Sequence, residues 1–145
     1  MRITALLTLT IAMLAPSISQ ADEKSELKKL QGKYDIVTLK SGGKSAPPEV
    51  LKSKMHIENN QLIIVRIADG KEKKSPITAK LDDTKSPKHI TLIRNGTPRY
   101  EGIYKLEKGK LTICYNRTGK GRPTKFESTE DTKTMLMVLK RIAVK

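Results

Sequence analysis

The stretch RYEGIYKLEKGKLTICYN, residues 99–116, decides the fold. Its first half places Tyr100, Gly102, Tyr104 and Leu106 on one side of an extended chain, because side chains alternate faces along a strand. Lys108-Gly109 then turns the chain. The second half sets Leu111, Ile113 and Tyr115 on an equivalent face. Two alternating runs around a glycine turn predict an antiparallel hairpin.

The same pattern extends outward in both directions. Upstream, His89 to Ile93 reads as a strand that ends at Asn95-Gly96. Pro76 to Leu81 alternates Ile77, Ala79 and Leu81 with polar residues. Gln61 to Ile67 is β-branched and apolar on both faces in its middle, and Asp69-Gly70 follows as a turn. Lys54 to Glu58 alternates Met55 and Ile57 with His56 and Glu58, and Asn59-Asn60 is a tight-turn pair. The first strand begins after Gly32 with Tyr34 and Ile36 on one face. Ser41 to Lys44 is a turn, and Pro47 to Leu51 opens a short helix, proline being tolerated in a first turn. Downstream, Arg117 to Asp131 is a loop rich in glycine, proline and charge, and Met135 to Lys140 is the last strand. Leu27 and Leu30 have helical spacing within Ser25 to Gln31. The chain therefore predicts an all-β fold of eight strands with a short N-terminal helix. Turn signals at intervals of about 8–14 residues predict an antiparallel meander closed into a barrel or folded as a sandwich.

Length and composition bound the rest. The 145 residues suit one domain. Lysine and arginine total 29 and aspartate and glutamate 15, a formal charge of +14. Cys114 is the one cysteine, so the fold has no internal disulfide to lean on. Met1-Arg2 is a short positive start, Ile3 to Leu14 is apolar, and small residues at Ser19 and Ala21 precede the polar Asp22-Glu23-Lys24. That three-part pattern predicts an export signal over 1–21, cut after Ala21, with a single domain over 22–145. The apolar run is shorter than the ~20 residues a helix needs to cross a bilayer. The protein is expected to be periplasmic or secreted, and to be a monomer.

An ordered series of short elements runs through this chain. It comprises LQGKY at 30–34, Gly43-Lys44 and Pro47 in the first loop, LDDTKSPKHITL at 81–92, GIYKLEKGKLTICY at 102–115, RPTKF at 122–126 and Leu139-Lys140-Arg141. Together they resemble a small secreted domain family of planctomycete bacteria, itself of unknown function and lipocalin-like. The resemblance covers about residues 27–141. It implies a barrel closed at one end by Gly32, Tyr34 and Arg141, with the guanidinium stacked on the aromatic ring. The lipocalin pattern has Trp where this chain has Tyr34.

Catalytic and metal chemistry find little footing in the sequence. His56 and His89 are the two histidines, and with one cysteine they make a poor metal set. Asp82-Asp83 reads as a turn whose carboxylates hold local amides. Gly42-Gly43-Lys44-Ser45 lacks the earlier glycine of a phosphate loop, since position 38 is Thr38. Cys114 has no neighbouring base and reads as a structural thiol. No cofactor is implied, and the expectation is a protein that is not an enzyme. Three titratable groups meeting in one cleft would reopen that question.

Two binding readings remain. In the first, Tyr34, Ile36, Tyr104, Ile113 and Tyr115 face a barrel interior that holds a small apolar ligand. In the second, the basic surface binds an anionic envelope polymer or an acidic protein. Arg117, Lys120, Arg122 and Lys125 are then the candidate anion contacts, because guanidinium forks suit phosphate, sulfate and carboxylate; Arg122, as part of the RPTKF element, has a structural reading beside this one. Nucleic acid is disfavoured: stacking aromatics are few, and export separates the chain from the genome.

Overall fold

The structure is a computed structural model that describes residues 20–143. The export signal read over 1–21 therefore lies, up to residue 19, outside the described residues. Nine strands form one antiparallel sheet: β1 (Gly32–Ser41), β2 (Lys44–Ser45), β3 (Lys54–Glu58), β4 (Gln61–Ala68), β5 (Lys71–Asp82), β6 (Lys88–Arg94), β7 (Thr97–Glu107), β8 (Lys110–Asn116) and β9 (Thr134–Arg141). β1 pairs with β9 as well as with β3, so eight strands close into a barrel. β2 is a two-residue extension hydrogen-bonded to the end of β1. Closure removes the exposed sheet edges that a flat meander would leave. Two helices complete the fold, α1 (Gln20–Leu30) and α2 (Pro48–Leu51).

The predicted strands are all present, and the differences have local causes. β1 runs on to Ser41 through a bulge between Ile36 and Thr38, where one extra residue restores the inward face at Leu39. β5 begins at Lys71, five residues before its apolar alternation, because Lys71 to Ser75 pair with Ile64 to Ala68 of β4. Hydrogen bonding to a partner strand makes that lysine-rich run extended, with no help from an apolar pattern. Asp69-Gly70 and Asn95-Gly96 have positive φ at both residues, the geometry of a two-residue hairpin turn. α1 starts earlier than predicted, at Gln20.

Inward-facing residues from all eight barrel strands meet in one core, with Leu30 of α1 at its base. Tyr34, Met55, Ile57, Leu62, Leu81, Ile90, Tyr104, Leu111, Ile113 and Leu139 are each almost completely buried in it. Gly102 is required here: a Cβ at that position would stand 2.6 Å from the Cys114 carbonyl and 2.8 Å from Tyr115 Cβ. The loop between β8 and β9 folds over the outer face of β7 and β8. There Cys114 Sγ donates to Glu127 O at 3.4 Å, and the Lys105 ammonium sits 4.8 Å from the Phe126 ring centre. Cys114 is thus fully buried outside the barrel lumen, and burial pushes its thiol pKa up.

Candidate functional site

Strand direction gives the barrel two unlike ends. α1, the β3–β4 turn, the β5–β6 loop and the β7–β8 turn share one end. The β4–β5 and β6–β7 hairpins and the β8–β9 loop share the other.

The helix end is built from groups that satisfy one another. Tyr34 Oη donates to Leu30 O at 2.8 Å, and Arg141 Nη2 donates to Tyr34 Oη at 2.8 Å and also to Lys29 O. The Arg141 guanidinium lies 5.4 Å from the Tyr34 ring centre, within cation–π range. Gly32 adjoins the same arginine: a Cβ there would lie 3.7 Å from Arg141 Nε. Glu26 is 3% exposed and accepts from Tyr104 Oη at 2.8 Å, Lys29 Nζ at 2.8 Å and Lys88 Nζ at 3.0 Å. Burial alone would raise its pKa. The three donors outweigh burial and hold it down at about 2. Burial and this carboxylate in turn push the Tyr104 phenol far above its usual range. Gln31 ties the β3–β4 turn to the helix, donating to Leu27 O and Asn59 O and accepting from Asn59 N.

Glu26 was not among the candidate residues of the sequence, although its spacing carries a signal. It stands four residues before Leu30 on a helix, and so on the same apolar face.

The far end changes character within one step of the strand period. Leu39, Ile64, Tyr100 and Tyr115 are half-buried against the upper core. Tyr100 and Tyr115 stack at 5.1 Å with a tilt of 42°. Two residues beyond the last inward apolar side chain, the strands running toward this end turn polar. Ile64 is followed by Arg66 on β4, Leu92 by Arg94 on β6, and Tyr115 by Arg117 just past β8. On β1, Leu39 is followed by Ser41. Lys73 of β5 stands directly across from Arg66. Arg66, Lys73, Arg94 and Arg117 are all exposed. Arg117 reaches over β9 to donate to Ser41 Oγ. Burial raises the Tyr115 phenol pKa, against the pull of the Arg117 and Arg94 cations nearby. Arg99 adds a guanidinium 6.0 Å from the Tyr100 ring centre.

The four loop cations named from the sequence separate in space. Arg117 belongs to this rim. Arg122 instead turns down the flank, where its Nη1 donates to Ile90 O at 2.9 Å and to Gly102 O, and its Nη2 to Thr91 Oγ1 at 3.3 Å. Those bonds staple the loop to β6 and β7. Lys125 shares a shallow depression with Arg122, Glu127 and Thr132, and Lys120 is exposed on the loop. Of the residues read as barrel lining, Tyr34, Ile36, Tyr104 and Ile113 are buried in the core, and Tyr115 reaches the rim.

A second cleft of about 460 Å³ lies on the flank, among Glu23, Lys80, Asp82, His89, Thr91 and Arg122. Burial and the Arg122 cation hold the His89 imidazole below its usual pKa. Titratable groups do meet here. However, Asp82 Oδ1 accepts from Thr84 N at 3.0 Å and Thr84 Oγ1 at 2.6 Å, and the cleft's hydroxyl, Thr91 Oγ1, accepts from Arg122. Asp82 thus holds its own turn, and Thr91 braces the Arg122 loop. Among the described residues no group of three His, Cys, Asp or Glu is placed to hold a metal ion.

Fold and site together define a closed eight-stranded antiparallel barrel with a capped end and a cationic end. Compared with known proteins, the chain matches no family model, no curated protein and no solved structure.

Proposed function

We propose that this protein is a non-enzymatic binding module that works outside the cytoplasm and engages a multivalent anionic partner through its cationic barrel end. The observation that carries this reading is the arginine placed two residues past the last apolar inward position on β4, β6 and β8. Strands two apart lie roughly 10 Å from one another. Cations at that spacing suit successive charges on an extended partner better than one small anion. The partner class is an acidic envelope polymer or surface, and export as read from the N-terminal segment would place the module beside it. The resemblance to small secreted planctomycete domains agrees with that setting.

Titration with fluorescently labelled dextran sulfate tests this reading. Binding should be strong near about 50 mM salt and should weaken steeply with added salt, as ion release predicts. No binding at low salt would refute it.

A second reading keeps a small apolar ligand, now in the upper barrel rather than the core. Half-buried Leu39, Ile64, Tyr100 and Tyr115 favour it, because they leave apolar surface facing the rim. Native mass spectrometry of protein isolated from its host without detergent decides that case. A stoichiometric extra mass lost on denaturation supports a bound ligand, and a bare chain rejects it.

A further inference from the structure

The β4–β5 hairpin stands out from the barrel wall. β4 is paired with β3 only as far as Val65, and β5 meets β6 only from Thr78 onward. Residues 66–77 thus include a two-stranded ribbon with neither outer edge paired to a barrel strand. Beyond Val65 its tip extends by roughly 10 Å, at about 3.3 Å per residue.

Near that tip Ile67 is 72% exposed, more than Val37 at 50%, the other large exposed apolar side chain among the described residues. Glu72 stands directly across from Ile67, with Lys74 next on that face, while Arg66 and Lys73 project from the ribbon's other face and Asp69 and Lys71 flank the turn. Arg66 and Lys73 form a cross-strand pair, a like-charge arrangement that is unfavourable in isolation. The β6–β7 hairpin and the β8–β9 loop point the same way and add Arg94, Arg99, Arg117 and Lys120, against Glu130 and Asp131 of the loop.

Resting on the multivalent-anion reading above, we infer that the partner is an anionic lipid surface, with Ile67 entering the headgroup boundary and the surrounding cations meeting lipid phosphates. An anionic bilayer entered tip-first, with headgroups meeting both faces of the ribbon, relieves both anomalies. It takes the isoleucine out of water and neutralises the Arg66–Lys73 pair. A soluble polyanion would neutralise the cations but leave Ile67 exposed, and this favours the bilayer.

The experiment is co-sedimentation of the protein with vesicles of phosphatidylcholine alone and of phosphatidylcholine mixed with phosphatidylglycerol. The protein is expressed from its full sequence, so any N-terminal apolar segment is common to all variants compared. Circular dichroism checks that each variant is folded. The inference expects binding to the anionic vesicles only, weakened about tenfold by Ile67→Ser. The pair Arg66→Gln with Lys73→Gln should weaken it about thirtyfold. Binding to dextran sulfate without binding to anionic vesicles would overturn the lipid inference and leave the anion reading standing. Vesicle binding that Ile67→Ser does not change would overturn the role of the tip. Failure to bind either probe would overturn both.

Discussion

The two ends of this barrel use similar residues to opposite effect. Each has arginine beside tyrosine and several lysines nearby. At the helix end the buried carboxylate and the closing arginine are internally matched, although lysines are exposed around them: Glu26 receives Lys29, Lys88 and Tyr104, and Arg141 is held by Tyr34 Oη and the Lys29 carbonyl. At the far end Arg66, Lys73 and Arg94 stand exposed at the rim, and Arg117 has the Ser41 hydroxyl. A buried charge without partners is costly, so matched groups mark a place where the fold is held together. Exposed cations of one sign add little to stability and remain available to an outside partner.

The largest effect should come from removing the plug. Leu30 is 1% exposed at the base of the core, and Leu30→Ala should lower unfolding stability by about 3 kcal/mol. Urea denaturation measures this, and a loss below about 1 kcal/mol would mean that α1 is not part of the closed end.

Glu26→Gln comes next, at about 2–3 kcal/mol near neutral pH, since the carboxylate is held from an ordinary 4.5 down to about 2. Because the folded-state value is depressed, the stabilisation is complete above 4.5. It declines as the pH falls toward 2 and is lost below that. Denaturation of the parent and the variant across that window should show the gap closing toward acid. A gap unchanged at pH 2 would contradict the assignment.

Arg141→Gln should cost about 1 kcal/mol, removing a stacked cation and its hydrogen bonds at a partly exposed site. The smallest effects belong to the other end. Arg66→Gln and Arg94→Gln should each change stability by less than about 0.5 kcal/mol. A loss at the rim as large as that of Arg141→Gln would erase the contrast between the ends.

Much of the barrel could be read from residue order. Tyr100 to Leu106 and Leu111 to Tyr115 alternate cleanly because one face is buried, and Asp69-Gly70 and Asn95-Gly96 announce turns whose positive φ the structure contains. The lysine-rich start of β5 could not be read that way, since its strand character comes from pairing with β4 and leaves no periodic mark. The site was visible in part. Tyr34 and Arg141 were named together, and they meet. Arg122 carries both an anion-contact and a structural reading in the sequence, and the choice of direction depends on the carbonyls of Ile90 and Gly102, which are distant in sequence. Arg66 and Arg94 were not singled out, although their place two residues past Ile64 and Leu92 follows from the strand period. Seeing them as one rim required knowing that the sheet closes through β1 and β9, which gathers the same ends of β4, β6 and β8 around one barrel mouth.

The most direct test removes equal charge from each end. One variant carries Gln at Arg66, Lys73, Arg94 and Arg117, and the other at the exposed Lys24, Lys28, Lys33 and Lys85 of the helix end. Each loses four positive charges, so net charge cannot separate them. Binding to labelled dextran sulfate near about 150 mM salt, where charges more than ~8 Å apart are largely screened, compares the two. The account predicts that the rim variant loses affinity at least about thirtyfold, while the helix-end variant changes by less than about threefold. Equal losses would contradict it and would reduce the cationic end to one part of a uniformly basic surface.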